Sequence, residues 1–459
     1  MEQINLCMSK KMRTFARRMS EKHRNLYIMS TKQNKSNVVA IITMFFMFAM
    51  ISFVTNMAAP FGNIWKTHYE WSGMLGNMMN FAAYLFMGIP AGKLLIKIGY
   101  KKTALIALIV GFLGIAVQFC SSFMSVGLAA LVVYLLGAFI CGFCVCMLNT
   151  VVNPMLNTLG GGGNKGNQLI QTGGAMNSLA GTLTPLLAGA MIGTITKETA
   201  MSQVRPLLSI ALAVFALSFL ILYLVAIPEP GQQHQSTNKE KDHHSAWSFR
   251  HLVLGVIAIF FYVGIEVGIP GELNFYLSDP GASGAGLGEG AAVIGGAIAA
   301  VYWLLMLVGR LASSAISSKV SPKMQLTFVS SLAIILVIVA IFLPSSLQIH
   351  MPGYVDGHFT MMQVPMAALF LVLCGLCTSL MWGSIFNLAV EGLGKYTEQA
   401  SGIFMMMVVG GGVMPFLQDL IARHSSYMTS YWLVAGMLAF ILFYALIGSK
   451  NVNKDIKVD

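Results

Sequence analysis

The chain has 459 residues, of which 56% are hydrophobic and only 10% are charged. A soluble domain carries about 25% charged residues, so this composition excludes a water-soluble globular protein of the same size. A lipid bilayer makes the composition natural, because side chains that face lipid are apolar. The 46 glycines agree with this, since small residues let membrane helices pack closely. We therefore expect an integral membrane protein.

The net charge of +11 does not by itself indicate nucleic-acid binding, because most basic residues lie between hydrophobic segments. The exception is a basic cytoplasmic leader, residues 1–37. An RNA-binding arm is one interpretation of this leader, and a segment that touches anionic lipid is the favoured one. Met29 is an alternative start, because Lys32 and Lys35 would still flank the first helix. We expect no nucleic-acid partner.

Twelve segments have the length and apolar character of a spanning helix, which needs about 20 residues. They are residues 38–60, 72–92, 103–122, 126–156, 169–193, 206–227, 251–277, 290–311, 325–344, 365–390, 401–421 and 429–448. The first segment lacks a small-residue cleavage site, so we expect it to remain as helix one. A polar, breaker-rich stretch, 228–250, predicts a cytoplasmic linker between six-helix bundles at 38–227 and 251–448, with a tail at 449–459.

The distribution of Lys and Arg predicts the orientation of the chain. With the amino terminus inside, all but four of the 28 basic residues fall in inner segments. The four in outer loops are Lys66, Lys197, Arg205 and Arg423. Cytoplasmic loops carry an excess of Lys and Arg, so both termini of this multi-pass protein should be cytoplasmic, in the inner membrane. Arg310 is assigned to an inner loop, which leaves no basic residue deep in the membrane.

The two halves of the chain weakly repeat each other. Cys141–Cys144 and Cys374–Cys377 share the pattern Cys-Gly-x-Cys, and Gly92–Leu94 resembles Gly309–Leu311. Two similar bundles that rock about a site at their interface are typical of alternating-access carriers. We therefore predict an all-α membrane protein of twelve helices in two pseudo-symmetric six-helix bundles.

Nothing in the sequence predicts an enzyme, a metal site or a cofactor. The glycine run at Gly160–Gly166 is not a phosphate-binding loop, because that motif needs Lys and then Ser or Thr after the last glycine. We expect it to form an inner turn between helices four and five. No nucleophile–base–acid set of known spacing is present.

One carboxylate, Glu266, lies well inside an apolar run, between Phe260 and Pro270. An ionisable group in the membrane is expensive and often marks function. A carboxyl that gains and loses a proton there could couple solute movement to protons. The alternative is a structural acid that is hydrogen bonded to a neighbouring hydroxyl or amide.

Amides and aromatic rings in the predicted helices are candidates for binding a polar solute. Asparagine offers a donor and an acceptor, which suits sugar hydroxyls, and an aromatic ring packs on the apolar face of a sugar. For each amide the alternative is an interhelical hydrogen bond, worth about 0.6 kcal/mol on average. The candidates are Asn56, Asn149, Asn153, Asn177, Asn274, Asn387, Tyr262, Trp303 and Trp382.

Several runs resemble the major facilitator superfamily, and most closely its fucose–galactose–glucose:proton symporter branch. They are Leu148–Pro154, Met176–Ser178 and Ser384–Gly394. Gly92–Lys102 resembles a degraded form of the superfamily's inner-loop signature and lacks its acidic residue. The resemblance implies the superfamily's fold and a sugar-type solute.

Departures from that branch affect the expected coupling chemistry. The branch carries acids in helices one and four, where this chain has Asn56 and Asn149, and a glutamine in helix five, where it has Gly174. Neither amide can titrate, so Glu266 is the remaining candidate for proton coupling.

The sequence therefore predicts a secondary transporter that moves a monosaccharide or amino sugar, with protons as a second partner. The alternatives that stay open are a sugar uniporter and a multidrug/proton antiporter. We expect a monomer in contact with membrane lipid.

Overall fold

The computed structural model describes residues 37–69, 72, 75–192, 201–227, 229, 244–279, 284–287, 291–355, 358–453 and 455–458. The predicted leader and most of the predicted linker lie outside the described residues.

The described chain forms twelve helices that cross the molecule, as predicted. In the first half, α1 begins with the span Asn37–Gly62, which overlaps the helical segment Ala58–His68 that completes it. One continuous segment, Leu75–Ser121, contains both α2 and α3. The other three are α4, Leu128–Leu159, α5, Gly163–Ile192, and α6, Arg205–Leu224. In the second half, α7 is Arg250–Ser278, α8 is Ala291–Ile316, α9 is Pro322–Phe342, α10 is Met366–Val390, α11 is Gly394–His424 and α12 is Tyr427–Gly448.

Gly99 divides α2 from α3 with a left-handed backbone, at φ +83°. L side chains rarely adopt this conformation, whereas glycine does so readily. The carboxylate of Glu229 lies where a Cβ on Gly99 would be and accepts hydrogen bonds from the backbone N–H groups of Tyr100, at 2.6 Å, and Lys101, at 3.0 Å. An acid just after α6 therefore satisfies the first orphan donors of α3.

The turn between α4 and α5 is confirmed at the glycine run. Gly161, Gly162 and Gly163 all have positive φ, at 75°, 71° and 52°. This turn, the α2–α3 break and the end of α6 lie at one end of the bundle, which we call the linker end. The opposite end is called the far end.

A β-hairpin at the far end was not predicted. Its strands are β1, Gln348–Val355, and β2, His358–Pro365, which pair antiparallel with Met351 opposite Met362. The sequence between the predicted ninth and tenth helices lacks a strict alternation of apolar and polar residues, which is the usual signal for a strand.

Two helix pairs make the most extensive packing between the halves, and α2 with α11 is the first of them. A Cβ on Gly402 would lie 2.6 Å from the backbone oxygen of Gly88 and 2.7 Å from the Cα of Gly92. Small residues at such crossings let helix backbones approach within the membrane. The second pair is α5 with α8, which carries the site described below.

We expect Gly402→Ala to lower the thermal unfolding midpoint of the detergent-solubilised protein. The added methyl group has no room between α2 and α11, and overpacking of this kind costs about 1–3 kcal/mol. The matched control is Gly436→Ala in α12, where a Cβ meets nothing within 4 Å. Equal midpoints for the two variants would show that the backbone contact does not limit the packing of the halves.

Candidate functional site

The most buried ion pair that the structure describes joins α7 to α8. Arg310 Nη2 lies 3.0 Å from Glu266 Oε1, and the two side chains are only 11% and 15% exposed. The assignment of Arg310 to an inner loop was therefore wrong. The small and apolar residues 311–316 continue α8, so the helix ends at Ile316 and encloses Arg310.

The guanidinium of Arg310 also reaches the other half of the chain. Its Nη1 donates to Ser178 Oγ at 2.7 Å and to the backbone oxygen of Gly174 at 3.3 Å, both on α5. Gly174 stands where the resembling branch carries glutamine. A Cβ there would already lie 3.6 Å from Arg310 Cδ, so the longer side chain would compete with the guanidinium for space. Arg310 is thus a cation shared between the halves.

Tyr262 lies one helical turn before Glu266 on α7 and is fully buried. Its hydroxyl lies against Glu266 and Arg310, which are its hydrogen-bonding neighbours. Its ring meets Trp382 edge-on, with centroids 6.2 Å apart. A hydroxyl, a carboxylate and a guanidinium therefore meet at one point between α7 and α8.

A chain of hydrogen bonds continues from Trp382 into the first half. Trp382 Nε1 donates to Asn153 Oδ1 at 3.1 Å, and Asn153 Nδ2 donates to the backbone oxygen of Asn149 at 2.8 Å. Asn149 Nδ2 then donates to the Tyr84 hydroxyl at 2.9 Å. Because α10 supplies Trp382 and α4 supplies both amides, this is a second polar contact between the halves.

The structure brings together five of the ten sequence-predicted candidates: Asn149, Asn153, Tyr262, Glu266 and Trp382. They lie with Arg310 and Ser178 where the halves meet. Sequence analysis missed Arg310 and Ser178. The small and apolar residues after Arg310 were the signal in the sequence, because they allow α8 to continue to Ile316 and so place the guanidinium within the membrane.

Two candidate amides lie between α1 and α5 instead. Asn56 Nδ2 donates within α1 to the backbone oxygen of Ser52 at 2.9 Å. Asn177 Nδ2 donates across to the backbone oxygen of Phe48 at 3.0 Å. These are the local and interhelical bonds that membrane helices commonly make.

Asn274 lies towards the far end of α7, and Trp303 lies near the middle of α8. Asn274 accepts from Ser278 Oγ at 3.1 Å, within the last turns of α7. Trp303 is 43% exposed and lies seven residues before Arg310 on α8. That separation is two turns, so both residues share a face about 10 Å apart along the axis, with Trp303 nearer the far end.

Asn387 belongs to a set of amides that close the linker end. Its Nδ2 donates to Asn157 Oδ1 at 2.7 Å and to the backbone oxygen of Gly163 at 3.1 Å. Gln168 and Gln171 of α5 donate to backbone oxygens of α8 and α10, at 3.0 and 2.9 Å. Within the described ranges, every side-chain hydrogen bond between the halves lies at the centre or at the linker end.

A second buried acid was also missed. Glu272 is 3% exposed, so the expectation that Glu266 is the one carboxylate inside an apolar run is wrong. The apolar run ends at Pro270, but α7 continues through that proline to Ser278 and carries Glu272 inside the bundle.

Comparison with known proteins places this arrangement in a family. The sequence profile of the Major Facilitator Superfamily matches residues 38–415. A glucose/galactose transporter of Brucella abortus is 30% identical over 428 residues, which are 92% of this chain and 96% of the relative. A putative glucose/galactose transporter of Helicobacter pylori is 30% identical over 446 residues, 91% of this chain and 99% of the relative. The L-fucose-proton symporter of Escherichia coli is 21% identical over 441 residues, 90% and 93% of the two chains.

Solved structures show the same fold. A crystal structure of the Escherichia coli fucose:proton symporter superposes with a TM-score of 0.74 at 18% identity, covering 91% of this chain and all of the other. A proton:xylose symporter gives a TM-score of 0.66 at 12% identity, covering 91% and 98%.

Removal of one partner of the buried ion pair should destabilise the protein strongly. We expect Arg310→Met to cost about 3–5 kcal/mol, because it leaves the Glu266 carboxylate buried and unpaired. The measurement is the thermal unfolding midpoint in detergent.

The double variant Glu266→Gln with Arg310→Met should recover most of that loss, since no buried charge remains. The control is Arg423→Met. Arg423 pairs with Asp419 at 2.8 Å, and its side chain is 73% exposed. An exposed pair contributes up to about 1 kcal/mol. A double variant as unstable as Arg310→Met would contradict the pairing.

Proposed function

The chain belongs to the major facilitator superfamily and, within it, to the fucose–galactose–glucose branch, and we propose that it carries a monosaccharide or amino sugar by alternating access. The observation that carries the proposal is the buried Glu266–Arg310 pair, which also contacts α5 at the junction of the halves. Polar groups at this depth are expected at the site of a carrier.

A polyhydroxyl solute suits the groups that surround the pair. The Tyr262 hydroxyl lies against the Glu266–Arg310 pair, and Trp382 provides an aromatic ring beside it. Such a mixture of one apolar face and a few fixed polar groups is typical of small-molecule sites. The relatives that match nine-tenths of the chain are named as sugar carriers, which favours a sugar over the substrates of a multidrug antiporter.

Arg310 has partners in both halves, Glu266 on α7 and the acceptors on α5, and this arrangement supports proton coupling. A deprotonated Glu266 neutralises the guanidinium within the second half. A proton on Glu266 leaves that charge in a poorly solvating interior, where its remaining partners are the Tyr262 hydroxyl and, on α5, Ser178 and the Gly174 carbonyl. Protonation should therefore strengthen the attraction between α8 and α5, which links the proton to the relative position of the halves.

Uniport is the second candidate, and the amide positions favour it. Asn56 and Asn149 stand where the branch carries acids, and an amide takes up no proton. If Glu266 serves only to compensate the charge of Arg310, the sugar would move down its gradient alone.

We assign the linker end to the cytoplasm of an inner-membrane protein, with both termini cytoplasmic. The asymmetry of Lys and Arg along the sequence supports this orientation. The amides that close the linker end would then form a barrier on the cytoplasmic side. We further propose that residues 38–227 and 251–448 move as two bundles, and that a monomer is the working unit.

The decisive variant is Glu266→Gln in proteoliposomes. An amide keeps a hydrogen bond to Arg310 but exchanges no proton. We expect counterflow exchange of a radiolabelled sugar to continue while pH-driven accumulation falls to the level of empty liposomes. The sugars to test are D-glucose, D-galactose, L-fucose and D-glucosamine.

The matched control is Asp279→Asn, an acid at the far end of α7 that accepts from the Tyr427 hydroxyl at 3.1 Å, away from the candidate site. It should accumulate sugar as the unaltered chain does. Uphill uptake that persists in Glu266→Gln would exclude the coupling role and leave uniport or another ion.

A further inference from the structure

Two proline-interrupted helices meet beside α12, towards the far end from the sugar site. Pro270 lies in α7 and Pro415 in α11. They are close, because a Cβ on Gly268 would lie 3.9 Å from the Pro415 ring. Proline has no N–H, so the backbone carbonyls four residues earlier, at Glu266 and Gly411, lose their helical donors. Two carbonyl oxygens are thereby freed on facing helices.

Two buried side-chain oxygens without partners flank the same contact. Glu272 is 3% exposed and Gln418 is fully buried, and the Oε1 atom of each has no hydrogen-bond partner among the described residues. A Cβ on Gly268 would lie 2.5 Å from Gln418 Oε1. Gly268 is one turn before Glu272 on the same face of α7, so their backbone positions are about 6 Å apart along the helix axis.

An ionised Glu272 has no compensating charge of its own at this contact. Asp419 is paired with Arg423 at 2.8 Å, and the guanidinium of that pair is 73% exposed. Among the residues that the structure describes, this pair supplies the charges nearest to Glu272. The pair is neutral as a whole, so the charge of an ionised Glu272 stays uncompensated.

The neighbouring hydroxyls of α12 donate elsewhere. Tyr431 donates to the backbone oxygen of Ile269 at 3.1 Å, and Tyr427 donates to Asp279. Ser430 donates to a backbone oxygen of its own helix, at 2.7 Å. Gln418 Nε2 donates to Ser430 Oγ at 3.5 Å. The contact between α7 and α11 thus holds two buried oxygens, the Oε1 atoms of Glu272 and Gln418, that accept no hydrogen bond from the described residues.

We propose that this contact binds a monovalent hard cation, with sodium as the expected occupant. Hard cations prefer oxygen ligands, and interrupted membrane helices supply freed carbonyls to such ions. Glu272 would provide the negative charge, and Gln418 with the two freed carbonyls would complete the oxygen set. A single negative charge matches a monovalent ion. The site is separate from the sugar site, and its occupancy can be measured without any sugar.

Sodium binding can be read from the thermal stability of the purified protein in detergent, titrated with NaCl against choline chloride at constant pH and ionic strength. A ligand that binds only the folded state raises the unfolding midpoint with its concentration. We expect a saturable rise with sodium but not with choline. Glu272→Gln should abolish it, and Gln418→Ala should raise the half-saturating sodium concentration about tenfold.

Asp279→Asn is the matched control and should respond to sodium like the unaltered chain. Equal midpoints of the unaltered chain in sodium and choline would overturn the proposal, even if both variants failed to fold. So would an undiminished sodium response in a folded Glu272→Gln protein. A rise produced by lower pH and not by sodium would mean that Glu272 carries a proton and that the site holds no metal ion. None of these results depends on whether Glu266 couples sugar to protons.

Discussion

The placement of one guanidinium inside the membrane organises the centre of this protein. Arg310 is charged at all accessible pH, and a charge in the bilayer interior requires a partner. Glu266 supplies the opposite charge from α7, while Ser178 and the Gly174 carbonyl supply acceptors from α5. The same cation therefore joins α8 to α7 within the second half and contacts α5 of the first half. A change in its partners would change the contact between the halves.

The rest of the polar centre follows from this arrangement. Trp382 and Asn153 make a second crossing between halves, and the linker-end amides make a third. Within the described residues, these contacts leave the far end without an equivalent set of side-chain hydrogen bonds between halves. A bundle whose halves make side-chain contacts at the centre and at one end only has the features of an alternating-access carrier.

The sequence was sufficient for the twelve helices, because a run of about 20 apolar residues and the asymmetry of Lys and Arg are direct consequences of the bilayer. Helix ends were harder to place: the predicted end at residue 311 lies five residues before Ile316, so Arg310 was counted with the inner loop. Glu272 lies inside the predicted helix 251–277 but was overlooked, because it follows Pro270, where the uninterrupted apolar run ends. Asn56 and Asn177 could not be separated from Asn153 by sequence, because the direction of an amide depends on packing across helices.

The most direct test of coupling at the Glu266–Arg310 pair is the number of protons that accompany each sugar in the unaltered chain. Proteoliposomes with an internal pH indicator and a clamped membrane potential would receive an inward gradient of the transported sugar and no pH gradient. Coupling through one carboxyl group predicts that the interior acidifies by a single proton for each sugar taken up. Sugar uptake with no acidification would contradict it.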